Sequence, residues 1–171
     1  MELTSADNGI KFLYEFDNSP VVCCGFVVNA GTRDERPDEH GLAHLIEHLL
    51  FGGTHKRSNL QIIKRLEDVG GELNAYTTKE ETYIYALVPQ RYTERAVELL
   101  SDIVFDSVFP ENQIAKEREV IFEEIDMYND SPSELIFDEL EDLMFENSAL
   151  GHNILGSKKS LSKLTQSDCI N

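Results

Sequence analysis

Between Gly41 and Phe51 the residues Leu42, Leu45, Ile46, Leu49 and Leu50 recur at helical spacing, and this segment constrains the fold more than any other. Wound at about 100° per residue, they make one apolar stripe that has to be buried. The opposite quadrant holds His44, Glu47 and His48, with Glu47 about 60° to one side of His44 and His48 about 40° to the other. Such a helix must lie with its back on a hydrophobic layer and its front toward a polar space. Two imidazoles at i and i+4 are about 6 Å apart along the axis, close enough to converge on one ion. A glutamate one residue before the second imidazole sits beside that ion rather than on it, where a base for a water molecule belongs. His40 continues the four-residue spacing, but at about 12 Å from His48 it cannot share a tetrahedral ion and is expected at the helix entry. His55 and His152 have no partner spacing.

The hydrophobic layer for that helix is legible on both sides of it. Gly9–Phe16 and Val21–Asn29 read as strands, and the second is so continuously apolar that it is expected in the centre of a sheet. Gly31–Glu39 is charged, contains Pro37 and reads as a loop. Ser58-Asn59-Leu60-Gln61 has the pattern of a capping box, opening a helix that ends at Gly70-Gly71. Leu73–Thr78 and Thr82–Val88 flank Lys79-Glu80-Glu81 as the arms of a hairpin. Helices follow at Tyr92–Phe105, Glu111–Asn129 and Pro132–Phe145, then a short one at Ser160–Leu164 and a helix start at Thr165–Asp168. Early strands, a hairpin and then helices predict an α+β fold, with a mixed, largely antiparallel sheet and helices packed on it.

Composition narrows the partners. The 171 residues suit one domain, and 15 Lys and Arg against 32 Asp and Glu leave a net charge of −17. A phosphate backbone would be repelled, which argues against nucleic-acid binding. Hydrophobic residues at 41% are too many for a disordered acidic chain. No apolar run of about 18 residues exists to span a membrane, and the first residues lack a secretory pattern, so a cytoplasmic location is expected. Cys23, Cys24 and Cys169 have neither the even count nor the spacing of a disulfide or thiolate-metal framework and read as buried, reduced thiols.

Two histidines need a third ligand. On the helix Glu111–Asn129, one stripe (Asn112, Lys116, Glu119, Glu123, Asp126) is polar throughout, and another (Ile114, Ile121, Ile125, Tyr128) faces the core. Between them Glu117, Val120, Glu124 and Met127 put two carboxylates beside apolar neighbours, where a carboxylate needs a partner. Periodicity therefore selects Glu124 or Glu117 over Glu123. Lying about 10 Å apart along the axis, only one of them can ligate, and the other is free to hydrogen-bond a liganding imidazole.

These residues, taken together, resemble the insulinase/pitrilysin family of inverted-motif zinc peptidases, to which the mitochondrial processing peptidases belong. The likeness covers most of the chain. It is sharpest in Ala30–Glu35, Gly41–Thr54, Gly70–Thr77 and Glu117–Glu124. It implies one Zn2+ per chain held by His44, His48 and Glu124, with Glu47 as general base and Glu117 as a supporting acidic residue. It also implies that the strand around Asn74, Ala75 and Tyr76 pairs with a peptide or unfolded polypeptide substrate in β fashion. Such enzymes carry two related domains that close like a clamshell. Residues 1–171 are accordingly expected to be a single N-terminal peptidase domain, a fragment lacking the second domain, which a partner subunit could also supply. A zinc endopeptidase is the activity implied; the alternative is a catalytically incompetent half or a non-catalytic binding subunit that needs a partner domain. Residues 111–146, with 13 acidic and two basic side chains, point to a cationic substrate.

Overall fold

A computed structural model describes residues 1–171. Strands β1 (Glu2–Ser5) and β2 (Lys11–Tyr14) form a small antiparallel ribbon of their own. The main sheet contains β3 (Val21–Val28), β4 (Glu72–Thr77) and β5 (Thr82–Pro89) in the order β3-β5-β4, and both ladders are antiparallel. In β5 Thr82, Ile84, Ala86 and Val88 are buried while the residues between them are half-buried, the period-two signature of a strand covered on one face.

That face is covered by helices. α2 (Asn59–Glu67) and α3 (Thr93–Asp106) contribute Ile62, Leu66, Leu99, Leu100 and Ile103 to one cluster with Ile84, Ala86 and Val88. The predicted capping box opens α2, where the Ser58 amide donates to Gln61 Oε1 at 2.8 Å. α1 (Leu42–Leu49) joins this layer to a second cluster, in which Leu45 and Leu49 meet Ile114 and Ile121 of α4 (Glu111–Asn129) and Leu161 of α6 (Lys158–Leu161). Leu45 and Leu49 are fully buried; each such side chain stabilises the fold by about 1.5–3 kcal/mol. The stripe expected on the back of α1 thus lies in the core, and α1 sits between β4 and α4. α5 (Pro132–Met144) packs on α4, and α7 (Gln166–Ile170) closes the described chain.

Three expectations need correction. β3 is an edge strand rather than a central one: it pairs only with β5, and Val21, Cys23 and Val27 are exposed. Its apolar run reflects Phe26 packed edge-on against Phe105 of α3 on one face, and open edge and surface elsewhere. β1 was not anticipated, and the loop after β3 holds a 3-10 turn at Thr32–Asp34. Of the cysteines, Cys169 is buried and Cys24 half-buried, whereas Cys23 lies at the surface; all three are free thiols.

Candidate metal centre

The centre begins with the front of α1. With the leucines held in the core, helical geometry turns His44 and His48 toward α4, with ring centroids 4.7 Å apart and planes at 71°. On α4 the burial of Ile114 and Ile121 fixes the rotation of the helix and brings Glu117 and Glu124 half-buried to its flank, while Glu119 and Glu123 remain exposed. The choice of Glu117 and Glu124 over Glu123 follows from that rotation. The apolar neighbours assigned to them do not: Val120 and Met127 are exposed, so the two carboxylates are sheltered by α1 instead.

Glu124 Oε2 stands 3.5 Å from His48 Nε2 and 4.0 Å from His44 Nε2. One ligand atom each from His44, His48 and Glu124 lies within 4.8 Å of the others. Glu117 is on the far side of His48, with Oε2 accepting from Nδ1 at 3.4 Å. That contact fixes the His48 tautomer and aims its Nε2 lone pair at Glu124. Burial, with a second contribution from His48, pushes the His44 imidazole down to about 4, so it is neutral at neutral pH. Glu47 is half-buried one position before His48 and stands apart from these pairs.

The donors fit a zinc ion. Two neutral imidazoles and one carboxylate are a common catalytic set, and ligand atoms on a tetrahedral ion with bonds of about 2.1 Å are about 3.4 Å apart. His44 Nδ1 is buried without a hydrogen-bond partner, and its Nε2 meets only the distant carboxylate. An imidazole so poorly satisfied gains most from a cation between Nε2 and Glu124.

Asn74, Ala75 and Tyr76 occupy β4, whose second edge carries no strand. Their partners on β5 are Tyr85, Ile84 and Tyr83. Asn74 and Tyr76 are exposed, and the Tyr76 ring stacks on Tyr83 at 4.5 Å. β4 packs beside α1, and its second edge carries no paired strand. His40 stands at the entry of α1, as its spacing predicts. Sequence reasoning left Glu35 and His152 without a role, yet the structure brings them to 3.1 Å of one another at that same entry. The signal available was Gly41, a residue that offers the helix no capping side chain.

A half-buried pair of histidines on one helix, met by a glutamate from a second helix that packs on it, is the arrangement expected of the inverted-motif zinc peptidase class. Residues 11–158 match the family described as Insulinase (Peptidase family M16), and the chain belongs to that family. Among similar proteins, the zinc protease YmxG of Bacillus subtilis is 36% identical over 160 residues, which are 92% of this chain and 39% of that protein. The beta subunit of the mitochondrial-processing peptidase of Mus musculus is 36% identical over 169 residues, 99% of this chain and 35% of the subunit. The chain therefore spans well under half the length of these relatives. A protease from Helicobacter pylori superposes with a TM-score of 0.92 at 21% identity, over 98% of this chain and 41% of that one. A peptidase M16 inactive domain from Pseudomonas fluorescens superposes at 0.90 with 19% identity, over 99% of this chain and 42% of that one.

Proposed function

We propose that the chain is the metal-binding half of a zinc endopeptidase, in which His44, His48 and Glu124 hold Zn2+ and Glu47 is the general base. The observation that supports it best is the convergence of His44 Nε2, His48 Nε2 and Glu124 Oε2 from two helices onto one point. Zinc held there would polarise the scissile carbonyl and lower the pKa of a water molecule from 15.7 toward about 7. Glu47 accepts the proton of that water and returns it to the leaving amine, so one carboxylate serves first as base and then as acid. His44 binds in the neutral form that its burial favours. Glu117 keeps His48 Nε2 directed at the ion rather than at solvent. The open edge of β4 at Asn74, Ala75 and Tyr76 receives the peptide backbone as an added strand, holding the scissile bond beside α1. A cavity of about 580 Å³ between α4 and α5, lined by Asp126, Asp138, Glu139 and Asp142 together with Lys158, which pairs with Asp126 at 2.6 Å, keeps a net acidic lining that would favour cationic side chains in the substrate.

A second reading has its own support. The chain covers little more than a third of its relatives, and one close structural neighbour is described as an inactive domain. On that reading residues 1–171 bind zinc but cleave only when a second peptidase domain or a partner subunit completes the substrate chamber. One experiment addresses both: zinc content and peptide cleavage measured on the same sample, with and without chelator, then after a second peptidase domain is added. Stoichiometric zinc with chelator-sensitive cleavage by the chain alone supports an autonomous enzyme. Zinc with cleavage only after addition supports the incomplete half. A purified chain that takes up no zinc sinks both.

A further inference from the structure

The first turn of α1 has amides that no intrahelical carbonyl can satisfy, and the residue at its N-terminal boundary cannot help. Gly41 has no side chain and sits in the left-handed region at φ 96°. The missing acceptor comes from the loop after β3: Glu35 Oε2 accepts from the Gly41 amide at 2.9 Å, and Oε1 accepts from the Ala43 amide at 2.8 Å. Ala43 is the residue before His44. The carboxylate is met from the other side by His152, whose Nε2 lies 3.1 Å from Oε2. Only 3% of the Glu35 side chain is exposed, against 14% for His152.

The surroundings of this contact are closely packed. His152 stacks face to face on His40, with centroids 3.9 Å apart and planes at 3°. Lys79, from the turn between β4 and β5, donates to the His152 carbonyl and pairs with Glu141 of α5 at 3.3 Å. Gly156 packs so closely that a Cβ there would be 2.3 Å from the His40 carbonyl oxygen. Ser160 Oγ donates to that same oxygen at 2.7 Å. Burial pushes the Glu35 carboxyl up to about 7 against the pull of the Ala43 and Gly41 amides, so this is a costly place to keep an acid. Its negative charge does, however, complement the positive end of the α1 dipole.

We propose that Glu35 is a positioning residue for the metal centre: clamped by His152, its carboxylate supplies the acceptor missing at the start of α1 and so fixes the direction in which His44 and His48 point. Its consequence for zinc rests on the peptidase reading above; the clamp itself does not. The test uses amide hydrogen exchange of the metal-free chain together with zinc affinity by competition. In Glu35→Gln the Gly41 and Ala43 amides exchange at least about tenfold faster while β5 amides are unchanged, and zinc affinity falls about tenfold. His152→Ala moves both readouts the same way, and His152→Arg, which keeps a donor toward Glu35, restores them to within about twofold. Should Glu35→Gln not fold, the His152 pair makes the same comparison. The proposal is overturned if Glu35→Gln leaves both readouts within about twofold, if exchange accelerates equally in β5, or if His152→Arg behaves like His152→Ala. A wild-type chain that binds no zinc ends the peptidase reading, and the exchange pattern alone then decides the role of Glu35.

Discussion

His48 is the residue on which the centre turns, because it faces Glu124 through one ring nitrogen and Glu117 through the other. On the proposed reading its neighbours divide into ligands, a base and a support, and substitution should separate them. Glu47→Gln preserves the side-chain volume and leaves the ligand set intact, so zinc stays stoichiometric by elemental analysis while turnover falls at least about 10²–10⁴-fold. Normal cleavage by that variant would remove Glu47 as the base. His48→Ala and Glu124→Ala each delete a donor and should lose the metal itself. Glu117→Gln acts one step further out: zinc is retained, but its affinity drops about 10–100-fold, because the neutral amide no longer enforces the His48 tautomer. Competition with a chromophoric chelator measures that drop. An affinity equal to wild type would make Glu117 a bystander.

At the scale of elements, what the sequence reveals depends on whether the information is local. The stripes on α1 and α4 are local, so the sequence alone places His44, Glu47 and His48 on one face and favours Glu124 or Glu117 over Glu123. The β3 error has the opposite origin: an apolar run states that a strand is sheltered but not by how many neighbours, and β3 has one. Glu35 and His152 are 117 residues apart and carry no periodicity that links them. The loop behind the metal helix is a further case. Thr54, Lys56 and Arg57 carry no periodicity, yet they converge on Asp102 of α3, which is only 3% exposed. Thr54 Oγ1 donates to Asp102 Oδ2 at 2.9 Å and Arg57 Nη1 does so at 2.5 Å. Burial pushes the Asp102 carboxyl up, but Arg57 and Thr54 outweigh it and hold the group below its ordinary value of 3.8. A carboxylate depressed in the folded state gives stability that is fully present above its unfolded pKa and is lost as pH falls below it. Acid unfolding of the wild type should therefore steepen below about pH 4, and Asp102→Asn should lose that part of the curve. Arg57→Ala strands a buried charge and should cost about 3–5 kcal/mol at neutral pH in urea titrations. A loss under about 1 kcal/mol, as for an exposed pair, would show that the loop is not fastened through Asp102.

Across the whole molecule, charge and apolar surface are segregated. α5 exposes Ile136, Phe137, Leu140 and Leu143 on one side while its acidic residues join those of α4 around the polar cavity. An exposed apolar stripe of that kind is the character of a surface that can pack against another polypeptide, and on the proposed reading the second peptidase domain would be that polypeptide. On the proposed reading the acidic side would line the chamber completed by the second domain, where charges interact through a medium less screening than bulk water. A cationic peptide would then be drawn in and an acidic one repelled, and the effect would decay as salt shortens the Debye length from about 30 Å at 0.01 M to about 3 Å at 1 M. The expected outcome, for the chain completed by a second peptidase domain, is that kcat/KM for an Arg-rich peptide exceeds that for a matched Glu-rich peptide by about tenfold or more at low salt. The ratio should shrink toward unity at high salt and drop at low salt when Asp138 and Asp142 are replaced by Asn. Equal cleavage of the two peptides at low salt would mean that the acidic wall faces solvent throughout the reaction and plays no part in choosing the substrate.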